Sequence, residues 1–209
     1  MDYAAARKVM VDSQVRVNDV TDRGLQAALL SVPRERFCAP DRTFAAYAEV
    51  ETPVTPTRKL MMARDVSKLV QALDARAGEV ALVIAGPYAA AVLAALGLTV
   101  TAQEADAAVF EIAGEALADA GVTTVIAPVT EPAAGEYDVI MSEMSVPIRP
   151  EAWLKALKVG GRLAVVERSG PAGKAILYVR GREGFSRREL FDSNPQVMAE
   201  MSPAEIFVL

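Results

Sequence analysis

"VIAGPYAAAVLAALG", residues 83–97, decides how the rest of the chain is read. An apolar, strand-like run enters Ala85-Gly86-Pro87 and leaves as an alanine-rich helix. In α/β proteins a strand-to-helix turn of this kind cradles nucleotide-like ligands against the first N–H groups of the helix. Glycines in such a turn permit positive φ and close approach of a ligand to the backbone. Here Ala85 adds a methyl group, and Pro87 removes an N–H while suiting a first helical position. The same three residues therefore also make a plain, tight turn.

The pattern spreads outward from that turn. "VALVIA" (80–85), "LTVTAQ" (98–103), "TTVIA" (123–127), "YDVIM" (137–141) and "GGRLAVVE" (160–167) are short apolar runs bounded by turn residues, as strands are. Between them lie helices at 89–96, closed by Gly97, at 106–120, closed by Gly121, and at 150–157, opened by Pro150. In the helix 106–120, Val109, Ile112, Ala113, Ala116 and Leu117 share the inward face. "AILYVR" (175–180) and "EIFVL" (205–209) predict late strands, paired like a hairpin. Upstream, 4–18 and 22–32 predict two short helices, the second capped by Thr21 or Asp22 and stopped by Pro33. Residues 33–62 predict irregular structure. From Asp65, Val66, Leu69, Val70 and Leu73 recur at helical spacing.

Strand–helix alternation of this kind predicts an α/β fold with a Rossmann-like sheet. The sheet is mostly parallel with an antiparallel edge, and an N-terminal helical cap precedes it. The expected organisation is one domain over 1–209, with the cap in 1–76 and the core in 77–209.

Composition narrows the function. With 209 residues, 52% apolar and 23% charged, the chain can bury a full core and stay soluble. No apolar run approaches about 18 residues, so no membrane partner is expected. "MDYAAARKVM" lacks the apolar stretch of a secretory signal. The single cysteine, Cys38, rules out an intrachain disulfide, suits a reducing cytoplasm and reads as a small packing residue. The absence of histidine excludes Ser-His-Asp and Cys-His relays and most zinc sites, so no metal is expected. The net charge is −5, and the most basic stretch, "RGREGFSRREL" (180–190), is interrupted by Glu183 and Glu189. That predicts a solvated hairpin surface and no nucleic-acid partner. Met61, Met62, Met141, Met144, Met198 and Met201 read as core filling, with an adaptable interface as the alternative.

Three segments carry a resemblance. "MVDSQVRVNDVTDRGLQAALLSVPRERFCAP" (10–40), "AYAEVETPV" (46–54) and "GEYDVIMSEMSVPIRPEAWLKALKVGGRLAVV" (135–166) resemble, in order, the protein-L-isoaspartate O-methyltransferases. The resemblance implies a methyltransferase fold and transfer of a methyl group from S-adenosylmethionine to the carboxylate of L-isoaspartyl residues in damaged proteins. It also implies sites that can be compared one at a time.

The family's donor loop runs Gly-x-Gly-(Ser/Thr)-Gly before its Tyr. Here Ile84 and Tyr88 stand at the ends of a loop holding only Ala85, Gly86 and Pro87. The two missing residues remove up to about 7 Å of reach. Val83 replaces an acid that the resemblance pairs with the positively charged end of the donor. Glu104 ends the second strand, where the resemblance places a carboxylate on the ribose hydroxyls; alone it also reads as a surface Glu near a helix start. Ala85, Gly86, Tyr88 and Glu104 are thus the cofactor-site remnants. The acid expected near the adenine is absent from Ala127-Pro128-Val129-Thr130, with Glu131 nearest. The family's acceptor-side Ser falls on Met61 or Ala63, neither with a hydroxyl, and Ser67 lies further along inside the helix. No catalytic residue is therefore assigned. Arg58, Lys59 and Arg64 read as a solvated basic loop, or as cations able to attract a carboxylate.

Methyl transfer from a sulfonium depends mostly on placement of donor and acceptor. The expectation is a methyltransferase-like pseudoenzyme with weak or no donor binding and a protein or peptide partner. The alternative is an active carboxyl methyltransferase.

Overall fold

The computed structural model describes residues 1–202. The chain opens with α1 (Tyr3–Met10), which continues through wider and tighter helical turns to Asn18, followed by α2 (Arg23–Ser31). Asp22 caps α2 by accepting the Leu25 N–H at 2.9 Å. After short 3-10 turns, a hairpin of β1 (Thr52–Thr55) and β2 (Arg58–Leu60) leads into α3 (Ala63–Leu73). That hairpin corrects the expectation of irregular structure over 33–62. Pro53, Pro56 and the two-residue turn hid a strand pair too short to show alternation.

The core alternates as expected: β3 (Val80–Ile84), α4 (Pro87–Ala95), β4 (Thr99–Glu104), α5 (Ala107–Asp119), β5 (Thr123–Ile126), β6 (Tyr137–Val146), α6 (Glu151–Lys155) and β7 (Leu157–Glu167). Then come β8 (Lys174–Arg180) and β9 (Phe185–Asp192). The sheet order is β5-β4-β3-β6-β7-β8-β9, parallel from β5 to β7 and antiparallel from β7 to β9. Strand β8 pairs with β9, and the late strand expected over 205–209 lies outside the described residues. Strand β9 escaped notice because its charged, mostly exposed side chains read as hairpin surface. The basic stretch 180–190 does form a hairpin, closed by the Gly181 N–H on the Gly184 carbonyl at 2.7 Å.

Strand β3 is central and buried on both faces, which its unbroken apolar run requires. Helix α4 is buried from Pro87 to Leu93 and packs among α2, α3 and α5; alanines permit that close approach. Of the six methionines singled out, Met61, Met141, Met144, Met198 and Met201 are buried in the core. Cys38 is buried as well, and burial pushes its thiol up to about 11. Among the described residues, no helix is long and apolar enough to cross a membrane.

Register sets what surrounds the Ala85–Gly86 turn. Ile84 pairs with Gln103 of β4 and with Ser142 of β6. One residue further out on each side stand Glu104 and Glu143, flanking the turn.

Candidate functional site at the carboxyl end of the sheet

In open α/β sheets, ligands bind outside the carboxyl ends of the strands, where the connections diverge to opposite faces. Here that place lies between β3, β4 and β6, and the chain's own side chains fill it. Ala85 adopts φ +51°, a left-handed conformation that favours glycine, and its methyl group is buried. Gly86 is extended. A Cβ there would meet Val83 Cγ1 at 2.9 Å and Glu143 Cγ at 3.1 Å. Pro87 is the first residue of α4, a position its fixed φ and missing N–H suit.

The N-terminus of α4 already holds a carboxyl group of the chain itself. Glu143 Oε1 accepts the Ala89 N–H at 2.8 Å, and Oε2 accepts the Met61 N–H at 3.2 Å. A bulge brings Glu143 here: between Met141 and Ser145 strand β6 advances four residues while its partner β7 advances two, from Ala164 to Val166. Bulges of this kind re-aim a side chain. Burial pushes the Glu143 carboxyl up, against the opposing pull of the Arg34 guanidinium and of the Ala89, Met61 and Tyr88 N–H groups. Motif and spacing in the sequence do not single out Glu143. The available signal was a carboxylate inside the strand-like run "VIMSEMSV" (139–146).

Glu104 is buried, which corrects the surface reading. Its carboxylate takes Arg58 Nε at 2.9 and 3.0 Å and Arg58 Nη2 at 2.7 Å. Glu104 Oε1 also accepts the Ala105 and Asp106 N–H groups. Arg58 is buried too, so it is no solvated loop cation; it also bonds Glu200 at 2.7 Å. Next to it, Thr55 and Thr57 donate to Asp106 Oδ2 at 2.8 and 2.6 Å. These contacts fasten the β1–β2 hairpin across the end of β4.

The other candidates go elsewhere. Tyr88 is buried with its ring 4.7 Å from the Arg34 guanidinium and edge-on to Phe37, and burial pushes its hydroxyl up to about 12. That hydroxyl has no hydrogen-bond partner among the described residues. Met61 is buried, and its carbonyl accepts Arg34 Nη2 at 2.6 Å. Ala63 starts α3, and Ser67 bonds back to the Ala63 carbonyl inside that helix. Arg64 turns to Asp65 and Glu49, while Lys59 faces a cleft beside Arg168. Glu131 lends its carbonyl to Gln103. Among the described residues, no group of acids and Cys38 is arranged to hold a metal.

The seven-stranded sheet, parallel from β5 to β7 with an antiparallel β8–β9 edge, has the fold of methyltransferases of the doubly wound class. Two solved structures share the fold. A protein-L-isoaspartate O-methyltransferase superposes with a TM-score of 0.75 at 19% identity, over 92% of this chain and 64% of its own length. A Plasmodium falciparum protein described as a protein-L-isoaspartate O-methyltransferase, in complex with S-adenosyl-L-homocysteine, gives 0.79 at 12% identity, over 96% and 99%. The sequence goes further. The model of the protein-L-isoaspartate(D-aspartate) O-methyltransferase family matches residues 6–172. The protein-L-isoaspartate O-methyltransferase of Methylorubrum extorquens is 32% identical over 90% of this chain and 86% of its own. That of Rhodopseudomonas palustris is 32% identical over 88% of each chain. The chain belongs to the protein-L-isoaspartate O-methyltransferase family.

Proposed function

We propose that this family member has given up methyl transfer and works as a protein-binding module. The observation that carries this reading is the buried Arg58–Glu104 pair. The carboxylate that would hold a donor's ribose is spent on a side chain of the same molecule.

The residues at the crevice do not fit S-adenosylmethionine. The Ala85 methyl group stands where the backbone must approach the ligand. Glu143 takes the Ala89 N–H at the start of α4, and its side chain lies against the Gly86 turn. Ala85, Gly86, Tyr88 and Glu104 are all buried. A cytoplasmic location accompanies the reading, supported by a lone, buried cysteine.

Isothermal titration with S-adenosyl-L-homocysteine tests it: no saturable heat is expected, and clear 1:1 binding overturns it. The names of the relatives at 32% identity favour a second reading, an active isoaspartyl carboxyl methyltransferase. Transfer of labelled methyl from S-adenosylmethionine to an isoaspartyl peptide would establish that one.

A further inference from the structure

After β9 the chain runs back over the carboxyl end of the sheet. Residues 194–201 form a strap there, and the groups that hold it come from distant parts of the sequence. The Ser145 N–H donates to the Gln196 carbonyl at 2.9 Å, and the Met198 N–H donates to the Ser145 carbonyl at 2.8 Å. Ser145 Oγ donates to the Pro195 carbonyl at 2.8 Å. Arg168 Nη1 donates to the Asn194 and Pro195 carbonyls, both at 3.0 Å, and Glu51 accepts the Gln196 N–H at 2.8 Å. The strap thus adds a parallel bridge, Val197 to Ser145, at the place where β6 bulges against β7.

All of these bonds reach main-chain atoms of the strap, which any extended segment carries. Its side chains add apolar contacts and an ion pair. Met198 and Met201 are buried in the apolar cluster that contains Ile84, Ala85 and Val129. Glu200 accepts Arg58 Nη2 at 2.7 Å, with its own side chain 40% exposed. Recognition by strand addition takes affinity from main-chain hydrogen bonds and specificity from side-chain pockets. The root of the strap is fixed separately, by Ser193 Oγ on Asp65 Oδ2 at 2.6 Å. Departure of the strap would break the Ser145 bridge and leave the seven-stranded sheet intact.

We propose that the strap is the internal occupant of a strand-addition site, and that an extended segment of a partner protein displaces it. The strap itself shows which chemistry fits: a main chain paired parallel to Ser145, with apolar side chains three residues apart at the places of Met198 and Met201. With the strap in place, the protein blocks its own partner site; Glu200 on Arg58 is the latch. The inference deepens the protein-binding reading and rests on it, naming the site, the kind of partner and the device that shuts it.

The test is fluorescence anisotropy with a labelled peptide of the strap's own sequence, NPQVMAEMS (194–202), titrated with the full chain. Controls are a scrambled peptide and the same peptide with Ser at both methionine positions. Weakening the internal occupant raises the fraction of open sites, and the apparent affinity for the added peptide rises by the same factor. The parent protein is expected to bind weakly. Glu200→Gln is expected to bind about 5-fold more tightly, and Met201→Ser more tightly still. Glu200 is partly exposed and its loss leaves Arg58 on Glu104, so Glu200→Gln keeps the fold; urea unfolding checks Met201→Ser. A peptide that adheres elsewhere binds all three proteins equally, and that result overturns the proposal. So does absence of binding to every variant, or equal binding of either control peptide. Dimers of the variants that grow with concentration in light scattering would give the place of the strap to a second copy and overturn a partner protein as occupant. Titration with S-adenosyl-L-homocysteine reports on the loss of methyl transfer alone, so the two readings fail separately.

Discussion

Arg58 lies along the carboxylate of Glu104, Nε at 2.9 and 3.0 Å from its two oxygens, with both side chains buried. A buried ion pair is weak evidence of stability, because desolvation offsets the attraction. Breaking one by removing a single partner is nonetheless costly. Arg58→Met is expected to destabilise the protein by about 3–5 kcal/mol in urea unfolding. Arg58→Met together with Glu104→Gln removes both charges and should lose clearly less. If the double variant is as unstable as the single one, the pair is not the source of the loss.

Neighbouring positions in the turn should respond in opposite senses. Ala85 sits at φ +51°, so Ala85→Gly relieves the backbone and is expected to add up to about 1 kcal/mol. Gly86→Ala drives a methyl group against Val83 and Glu143 and is expected to cost about 1–3 kcal/mol. Chemical denaturation of the two variants checks both signs.

Asp106 caps α5 and accepts the Thr55 and Thr57 hydroxyls. The Thr57 hydrogen bond, foremost, holds its carboxyl below the usual range, with Thr55, the Ala108 N–H and Arg58 assisting against desolvation. A lowered folded-state pKa contributes stability above the unfolded pKa of about 4, lost as pH falls through the folded value. Asp106→Ala should therefore cost about 1 kcal/mol at neutral pH. The gap between variant and parent should shrink as the solution is acidified below pH about 4. A constant gap across that range would contradict the assignment.

Cys38 is buried and its thiol is pushed up to about 11, chiefly by desolvation. An aromatic disulfide reagent at pH about 8 should leave the native protein unlabelled and label one thiol per chain after unfolding. Rapid labelling of the folded protein would show that the α2–α3 region opens readily.

Local features were legible from residues alone. The Asp22 cap, the Pro87 start of α4, the unbroken apolar run of β3 and the order of strands and helices depend on neighbours within a few positions. The shortness of the Ala85-Gly86-Pro87 loop was visible too. Strand β9 was not, because an edge strand with exposed charged side chains has no buried face to pattern it.

What fills the crevice was decided only by tertiary structure. Arg58 and Glu104 are 46 residues apart, and they meet because the β1–β2 hairpin is laid across the end of β4. Glu143 reaches the start of α4 because β6 bulges against β7, a register event between strands. By itself the sequence determined the α/β order, the helix caps and a turn too short for the family's loop, since backbone preference and hydrophobic period act locally. Which carboxylates are spent inside the fold, and which cations remain facing solvent, depended on distant segments arriving together, since charge pairing acts through space.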